Sequence, residues 1–232
     1  MIDVLTPFEL EAIRVSLYVG VWAVLLISPP AIGAAWLLAR RDFPGKSLLD
    51  ALLHLPLVLP PVVVGYLLLV TLGREGPIGS LLYQMTGLHL AFTWRAAALA
   101  SAVIAFPLMV RSVRLSIEAV PRELEQAAYT LGASPARVFR TVTLPLALPG
   151  VLAGAVLAFA RSLSEFGATI TFAANIEGQT QTLPLALYSL SQTPGGEVAA
   201  ARLCLIAVGL SLGTLIASEW LARRLHRTTV LR

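Results

Sequence analysis

From Leu55 to Leu72 the chain runs for eighteen residues without a formal charge, LPLVLPPVVVGYLLLVTL. As a helix, such a stretch matches the hydrocarbon layer of a bilayer, about 30 Å thick. It belongs to a segment that begins near Leu48, and four others have comparable reach: about Val15–Ala39, Thr93–Val113, Leu146–Phe172 and Leu203–Leu221. Of 232 residues, 57% are hydrophobic and only 13% charged, whereas soluble domains carry about 25% charged residues. With a mean hydropathy of +0.80, a soluble fold would have no polar surface to show water. The alternating pattern of a membrane β-barrel is absent, so the spans are helices that satisfy their own backbone groups. The expected fold is an all-α integral membrane protein, a single domain over residues 1–232 with about five transmembrane helices.

Charge placement sets an expected orientation. Arg40, Arg41 and Lys46 follow the first span; Arg111, Arg114, Arg122, Arg137 and Arg140 lie between the third and fourth; Arg223, Arg224, Arg227 and Arg232 follow the fifth. Five crossings put these twelve of the 17 Lys and Arg residues on one side, which the positive-inside rule makes the cytoplasm. The N-terminus is then outside and the C-terminus cytoplasmic. The N-terminal head carries Asp3, Glu9 and Glu11 before its first basic residue, Arg14, unlike the basic start of a secretory signal. The net charge of +4 sits at span ends, as membrane orientation produces, and no basic segment interleaved with aromatics points to nucleic acid. Residues 73–92 read as a turn-rich outer connection. The outer stretch 173–202 holds TLPLALYSLSQTPGG, whose middle reads as a short interfacial helix closed by Pro194-Gly195-Gly196. A sixth crossing there would break the charge asymmetry.

The second span is irregular. Pro56, Pro60 and Pro61 remove backbone donors and kink or break a helix. Two readings stay open: a packing kink, or one of the broken helices that line transporter cavities. Phe43-Pro-Gly-Lys-Ser47 ends like a phosphate-binding loop, but the first glycine of that pattern is replaced by Arg40, and a membrane span precedes it instead of a strand. Cys204 is the sole cysteine, so no internal disulfide or cysteine-based metal site is expected. His54 and Asp50 lie one helical turn apart, too few for a catalytic or metal centre, and no cofactor is implied.

The informative cytoplasmic stretch is PRELEQAAYTLGASPARVFRTVTLPLALPG, Pro121 to Gly150, within a loop of about residues 115–145. Pro121, Glu123 and Glu125 suit a helix start, and Gly132 a helix stop. Ser134-Pro135 caps and opens a second short helix through about Thr141, with Pro145 and Pro149 marking the return into the fourth span. Ala127, Ala128, Gly132 and Ala133 allow close approach of another backbone, beside the projecting Arg137, Phe139 and Arg140. This stretch resembles the EAA loop of ABC-importer permeases, with Gln126-Ala127-Ala128, Gly132, Val142, Leu144 and Pro145 at the spacing of that pattern. It departs at the first position, where Gln126 replaces Glu and Glu125 stands one residue earlier. Residues 43–69, 157–172 and 193–204 further resemble the molybdate permease branch, near relatives of sulfate and tungstate permeases.

The resemblance implies a type I ABC-importer membrane subunit in the cell (inner) membrane. Such a subunit pairs as a homodimer, binds two ATPase subunits on the cytoplasmic side, and receives an oxyanion from an extracytoplasmic binding protein. The ATPase-coupling residues it implies are Glu125, Gln126, Ala127, Ala128, Gly132, Ala133, Arg137, Phe139, Leu144 and Pro145. ATP hydrolysis then belongs to the partner, and the chain catalyses nothing. Sulfate or tungstate is the alternative cargo. A lipid-directed membrane enzyme lacks a catalytic constellation, and an ion-coupled carrier would usually show internal repeats.

One feature of the fourth span is costly. Arg161 and Glu165 lie in ARSLSEFGATI, and a charge in hydrocarbon costs about 3–10 kcal/mol or more. On a continuous helix from Pro145 they fall roughly 24 and 30 Å along the axis, in the outer half. There Arg161, Ser164 and Glu165 share one face with Ala168, and Thr169 stands at its edge. This stripe either braces an interface through the ion pair or lines a pathway, with arginine donors suited to a tetrahedral oxyanion.

Overall fold

The computed structural model describes residues 5–230, with side chains through residue 217. Asp3 and Arg232 lie outside the described residues, as do the side chains of Arg223, Arg224 and Arg227. The chain is all-helical over this range. Helix α1 (Pro7–Arg40) opens on a reciprocal cap: the Glu9 backbone N–H donates to Thr6 Oγ1 at 3.4 Å and the Thr6 N–H to Glu9 Oε2 at 2.7 Å. At about 1.5 Å per residue its 34 residues exceed the bilayer's apolar thickness. Tyr18 and Trp22 cluster with Trp94, the Tyr18 and Trp94 rings 4.8 Å apart. Trp36 lies roughly 27 Å further along α1 from Tyr18 by helical rise. Aromatics at that spacing are the two interfacial belts of a membrane helix.

Helices α2 (Lys46–Val58) and α3 (Pro61–Leu72) bend by 110° at Leu59–Pro60. The second span is therefore broken, because Pro60 and Pro61 deny the turn its donors. The expected turn-rich connection after it contains a helix, α4 (Pro77–Thr86), started by Pro77 and stopped by Gly87 in the left-handed region at φ +70°. Helix α5 (Trp94–Glu118) follows, then the short α6 (Arg122–Thr130) and α7 (Pro135–Val138). A π turn (Phe139–Thr143) joins α7 directly to α8 (Leu144–Leu163). The chain continues through α9 (Gly167–Ala173), α10 (Leu183–Ser191) and α11 (Glu197–Val230). Helix α10 occupies the place expected of a short helix in the outer stretch. Among the described residues, four helical stretches are long and apolar enough to cross a membrane, or five if the bent pair counts as one.

Helix α5 is the hub. Its Ala102, Ala105, Met109, Val110 and Val113 are buried and meet Ala23, Ile27, Ala31, Ala35 and Leu38 of α1 in one continuous cluster with Ala147 and Ala158 of α8, while Ala97, Ala100 and Ile104 pack with Val19, Ala168 and Phe172 in a second. Small residues dominate, since helices in lipid associate by close backbone packing rather than by hydrophobic exclusion from water. The approach is especially close between α5 and α8. A methyl group on Gly150 would lie 2.1 Å from Ser116 Cβ, and one on Gly154 would lie 3.1 Å from Ser112 Cβ. The same serines seal the contact, Ser112 Oγ donating to the Gly150 carbonyl at 2.9 Å and Ser116 Oγ to the Ala147 carbonyl at 3.2 Å. Outward faces are apolar: Leu48, Val58, Tyr66, Val198 and Leu205 are all exposed, as lipid-facing or subunit-facing surfaces must be.

Two expectations need correction. The second short helix of the loop does not stop at Thr141, and Pro145 and Pro149 do not mark a return: residues 135–163 form one helical run containing a π turn. Pro145 has no N–H for the Thr141 carbonyl and its ring crowds the preceding turn; the wider π turn relieves both. The fourth span, expected as continuous to Phe172, breaks at residues 164–166 between α8 and α9.

Candidate functional site

Residues 121–145 form a compact protrusion at the Arg40 end of α1. Helix α6 ends at Gly132, whose φ of +81° lies in the left-handed region. The Gly132 N–H donates to the Tyr129 carbonyl and the Ala133 N–H to the Ala128 carbonyl, at 2.9 and 3.1 Å, closing the helix as a C-terminal cap. A methyl group on Gly132 would meet nothing within 4 Å. Its glycine is required by backbone conformation, and the space around it is open. Ala127 is exposed, and Ala128 and Ala133 half-buried. Leu131 is 88% exposed, flanked by the exposed Leu124 and Tyr129. An apolar, small-residue surface on a protrusion is the composition of a docking face.

The remaining loop residues divide between outward-facing and inward-facing. Gln126 and Arg137 are exposed, and so is Pro145, while Leu144 is half-buried. Phe139 turns inward and meets Trp36 edge-to-face, ring centroids 6.0 Å apart, with the Arg41 guanidinium 5.7 Å over the same Trp36 ring. Glu125 is buried: its Oε1 accepts from Arg40 Nε at 3.1 Å and from Thr143 Oγ1 at 2.6 Å. The chain thus resolves the ambiguity between Glu125 and Gln126: the carboxylate faces inward and the amide outward. Between α1 and the protrusion lies a cleft of about 300 Å³ lined by Trp36, Arg41, Arg122, Gln126, Tyr129 and Phe139, among others.

The second set of residues sits at the break in the fourth span. Arg161 Nη2 lies 2.8 Å from Glu165 Oε2, while Glu165 Oε1 accepts the Ala168 N–H at 2.9 Å and so caps the start of α9. Ser164 is exposed, its hydroxyl donating to the Arg161 carbonyl at 3.0 Å. Thr169 is fully buried with no partner for its hydroxyl. The four do not share a helix face: Arg161 lies near the end of α8, Glu165 lies in the break itself, Ser164 looks out and Thr169 lies in the interior. The α2–α3 break meets this one. A methyl group on Gly65 would fall 2.7 Å from the Ala168 carbonyl oxygen, and one on Gly167 would fall 2.9 Å from Pro61 Cβ, so both glycines are needed for close approach.

Asp50 Oδ2 accepts from Arg114 Nη1 at 3.1 Å, tying α2 to α5, and within α2 His54 Nδ1 lies 2.8 Å from the Asp50 backbone carbonyl. Lys46, the lysine of the phosphate-loop look-alike, pairs with Asp42 at 2.9 Å; that hydrogen bond, then the ammonium charge itself, holds the exposed Asp42 carboxyl below its usual range. Residues missed from sequence include Arg40 and Thr143 on Glu125, and Arg202, whose Nε donates to the buried Glu9 Oε1 at 2.7 Å across 193 residues. The only available signal for the last was a lone acid and a lone base, each beside an apolar run.

The helical arrangement is shared with solved structures. It superposes on a chain in the crystal structure of a bacterial ABC transporter involved in the import of the acidic polysaccharide alginate, with a TM-score of 0.72 over 95% of this chain and 80% of that one, at 16% identity. A chain in an inward-facing structure of the MetNI methionine ABC transporter gives 0.65 over 94% of both, also at 16% identity. Residues 31–227 match the family of binding-protein-dependent transport system inner membrane components, and the chain belongs to that family. It is 62% identical over 94% of its length to the molybdenum transport system permease protein ModB of Haemophilus influenzae, covering 96% of that protein. The ModB protein of Escherichia coli is 61% identical, covering 95% of this chain and 96% of that one. The sulfate transport system permease protein CysW of Synechococcus elongatus is 39% identical over 94% of this chain and 75% of that one.

Proposed function

We propose that this chain is the membrane-spanning permease subunit of an ATP-driven molybdate importer, with hydrolysis carried out by a separate ATPase subunit. The observation that carries the cargo assignment is the 61–62% identity to two molybdenum permeases over nearly the full chain. Sulfate is the second reading, favoured by the 39% identity to a sulfate permease, and weaker by that margin.

The protrusion of residues 121–145 is the coupling element, facing the cytoplasm as the charge distribution predicts. Gln126, Ala127, Ala128, Gly132, Ala133 and Arg137 seat it in the ATPase, with Leu131 and Tyr129 adding apolar area. Because α7, the π turn and α8 are one helical run, displacement of the protrusion passes directly into a membrane helix and, through α8's packing, into α5. Two copies of the chain form the conduit, and an extracytoplasmic binding protein delivers the anion at the opposite end. Arg161 and Glu165 stand beside the meeting of two broken spans, where irregular backbone is tolerated against protein or a watery cavity. Pairing with Glu165 moderates the arginine's hold on a dianion, and conduction requires weak binding. The protein contributes no chemistry; its work is a coupling free energy between the ATPase and the anion pathway.

The test is co-purification of the tagged chain with its ATPase beside Gly132→Asp at matched expression, followed by uptake in vesicles loaded with the partners. Wild type is expected to retain the ATPase, and the variant to lose it. Molybdate-dependent hydrolysis that sulfate stimulates equally well would replace the cargo assignment.

A further inference from the structure

By sequence, Glu125 belongs to the surface presented to a partner, yet its carboxylate is spent inside the chain. Three donor atoms converge on one oxygen: Arg40 Nε and Nη2, each 3.1 Å from Oε1, and Thr143 Oγ1 at 2.6 Å. Arg40 Nη2 also donates to the Val120 carbonyl at 2.9 Å. The Arg40 and Glu125 side chains are 9% and 11% exposed, and Thr143 is buried. Arg40 is the last residue of α1, Glu125 lies in the first turn of α6, and Thr143 ends the π turn beneath α8. Helix α6 otherwise packs chiefly on α7 and the π turn. Its polar link to α1 runs through this pair, while Leu124 on its flank and Leu131 just past its end are exposed.

We propose that Glu125 is a positioning residue that locks the coupling helix to α1 and to the base of α8, so that a push on α6 moves both membrane helices together. Gln126, about 100° further round the helix, holds the outward place and takes the contact with the ATPase. This rests on the reading of residues 121–145 as the ATPase-docking stretch. A lever transmits displacement only if its joint is stiff. A charge-assisted contact shared by three elements and shielded from water is such a joint, whereas an exposed ion pair would be worth little. Arg40 suits the role because one planar guanidinium reaches the carboxylate and the Val120 carbonyl at once.

The experiment compares Glu125→Gln, Arg40→Gln, Thr143→Val and Gln126→Arg in the full complex with ATPase and binding protein, in lipid nanodiscs and vesicles. Two quantities are read on each: ATPase retained on the tagged chain, and binding-protein-stimulated hydrolysis together with uptake. For the three joint variants, retention is expected within about twofold of wild type, as for changes outside an interface. Stimulation and uptake should fall by about five-fold or more, the low end of a typical coupling term. The Glu125→Gln/Arg40→Gln double variant should be no worse than either single one, the non-additivity of residues sharing one contact. Gln126→Arg should reverse the pattern and lose the ATPase. Thr143→Val removes one hydroxyl at constant shape, so it decides the matter should Glu125→Gln not fold. A folded Glu125→Gln that loses the ATPase as Gln126→Arg does would overturn the assignment, and so would joint variants with unchanged stimulation. If wild type itself retains no ATPase, the docking reading fails and takes this inference with it, a result separable from the other two.

Discussion

Replacing Gly150 with alanine should damage this fold far more than one methyl group ordinarily does. The new Cβ would lie 2.1 Å from Ser116 Cβ and 2.6 Å from its Oγ, with the Ser112 carbonyl oxygen at 3.0 Å. Carbon atoms rest at about 3.5–4.0 Å, so α5 and α8 must separate locally by about 1.5 Å. Overpacking of a tight contact costs about 1–3 kcal/mol. Separation also stretches the Ser112–Gly150 and Ser116–Ala147 hydrogen bonds, each worth about 0.6 kcal/mol between membrane helices. The expected loss is about 2–4 kcal/mol. At roughly 2–4 °C per kcal/mol for a chain of 150–250 residues, the midpoint of thermal unfolding in mild detergent should fall by about 4–16 °C. Because the shortest approach is to Cβ, Ser116→Gly in the same chain should restore more of the loss than Ser116→Ala, which relieves only the Oγ contact at 2.6 Å. A Gly150→Ala protein as stable as wild type, or one rescued equally by both second substitutions, would refute the account of the α5–α8 contact.

At the break in the fourth span, Glu165→Ala leaves Arg161 without its partner and uncaps α9. Removing one member of a buried pair costs about 3–5 kcal/mol, but the Arg161 side chain is 28% exposed, so about 1–3 kcal/mol is expected by chemical unfolding. Glu165→Gln keeps an acceptor for the Ala168 N–H and should be milder, separating the cap from the charge. At the other end of α1, Arg202→Leu strands the buried Glu9 carboxylate and should cost about 2 kcal/mol. Thr6→Ala, which removes only the capping hydroxyl, should cost about 1 kcal/mol; equal effects of the two would deny the ion pair its role in holding α11 against α1.

What was legible in the sequence was what neighbouring residues dictate. The apolar runs gave long helices, Pro60-Pro61 gave a break, and Gly132 and Pro135 gave a helix stop and start. The break at residues 164–166 was not legible, because no proline falls there and the apolar run continues through Phe172. What stabilises it is Glu165 folding back on Ala168, a contact no periodicity announces. The helix within residues 73–92 was hidden by its glycines and Pro77, which serve as its boundaries rather than as a run of turns. Which of Glu125 and Gln126 faces outward turned on one step around a helix, and only Arg40, 85 residues away, decides it. The serines that match Gly150 and Gly154 are spaced four apart on α5 as the glycines are on α8, a small-residue pattern that sequence alone carries.

The uneven burial of the spans has a consequence for synthesis. In α5, 67% of the apolar window lies inside the molecule, against 6% in α11. A chain emerging from the ribosome at about 5–20 residues per second delivers α5 several seconds before its glycine-lined partner α8 is complete. Through that interval Ser112 and Ser116 have no α8 carbonyls to meet, so α5 must wait beside α1 or within the insertion machinery. Helix α11 faces no such wait. It arrives last and joins a bundle that is already closed, so errors in assembly should concentrate at the third apolar segment rather than the fifth.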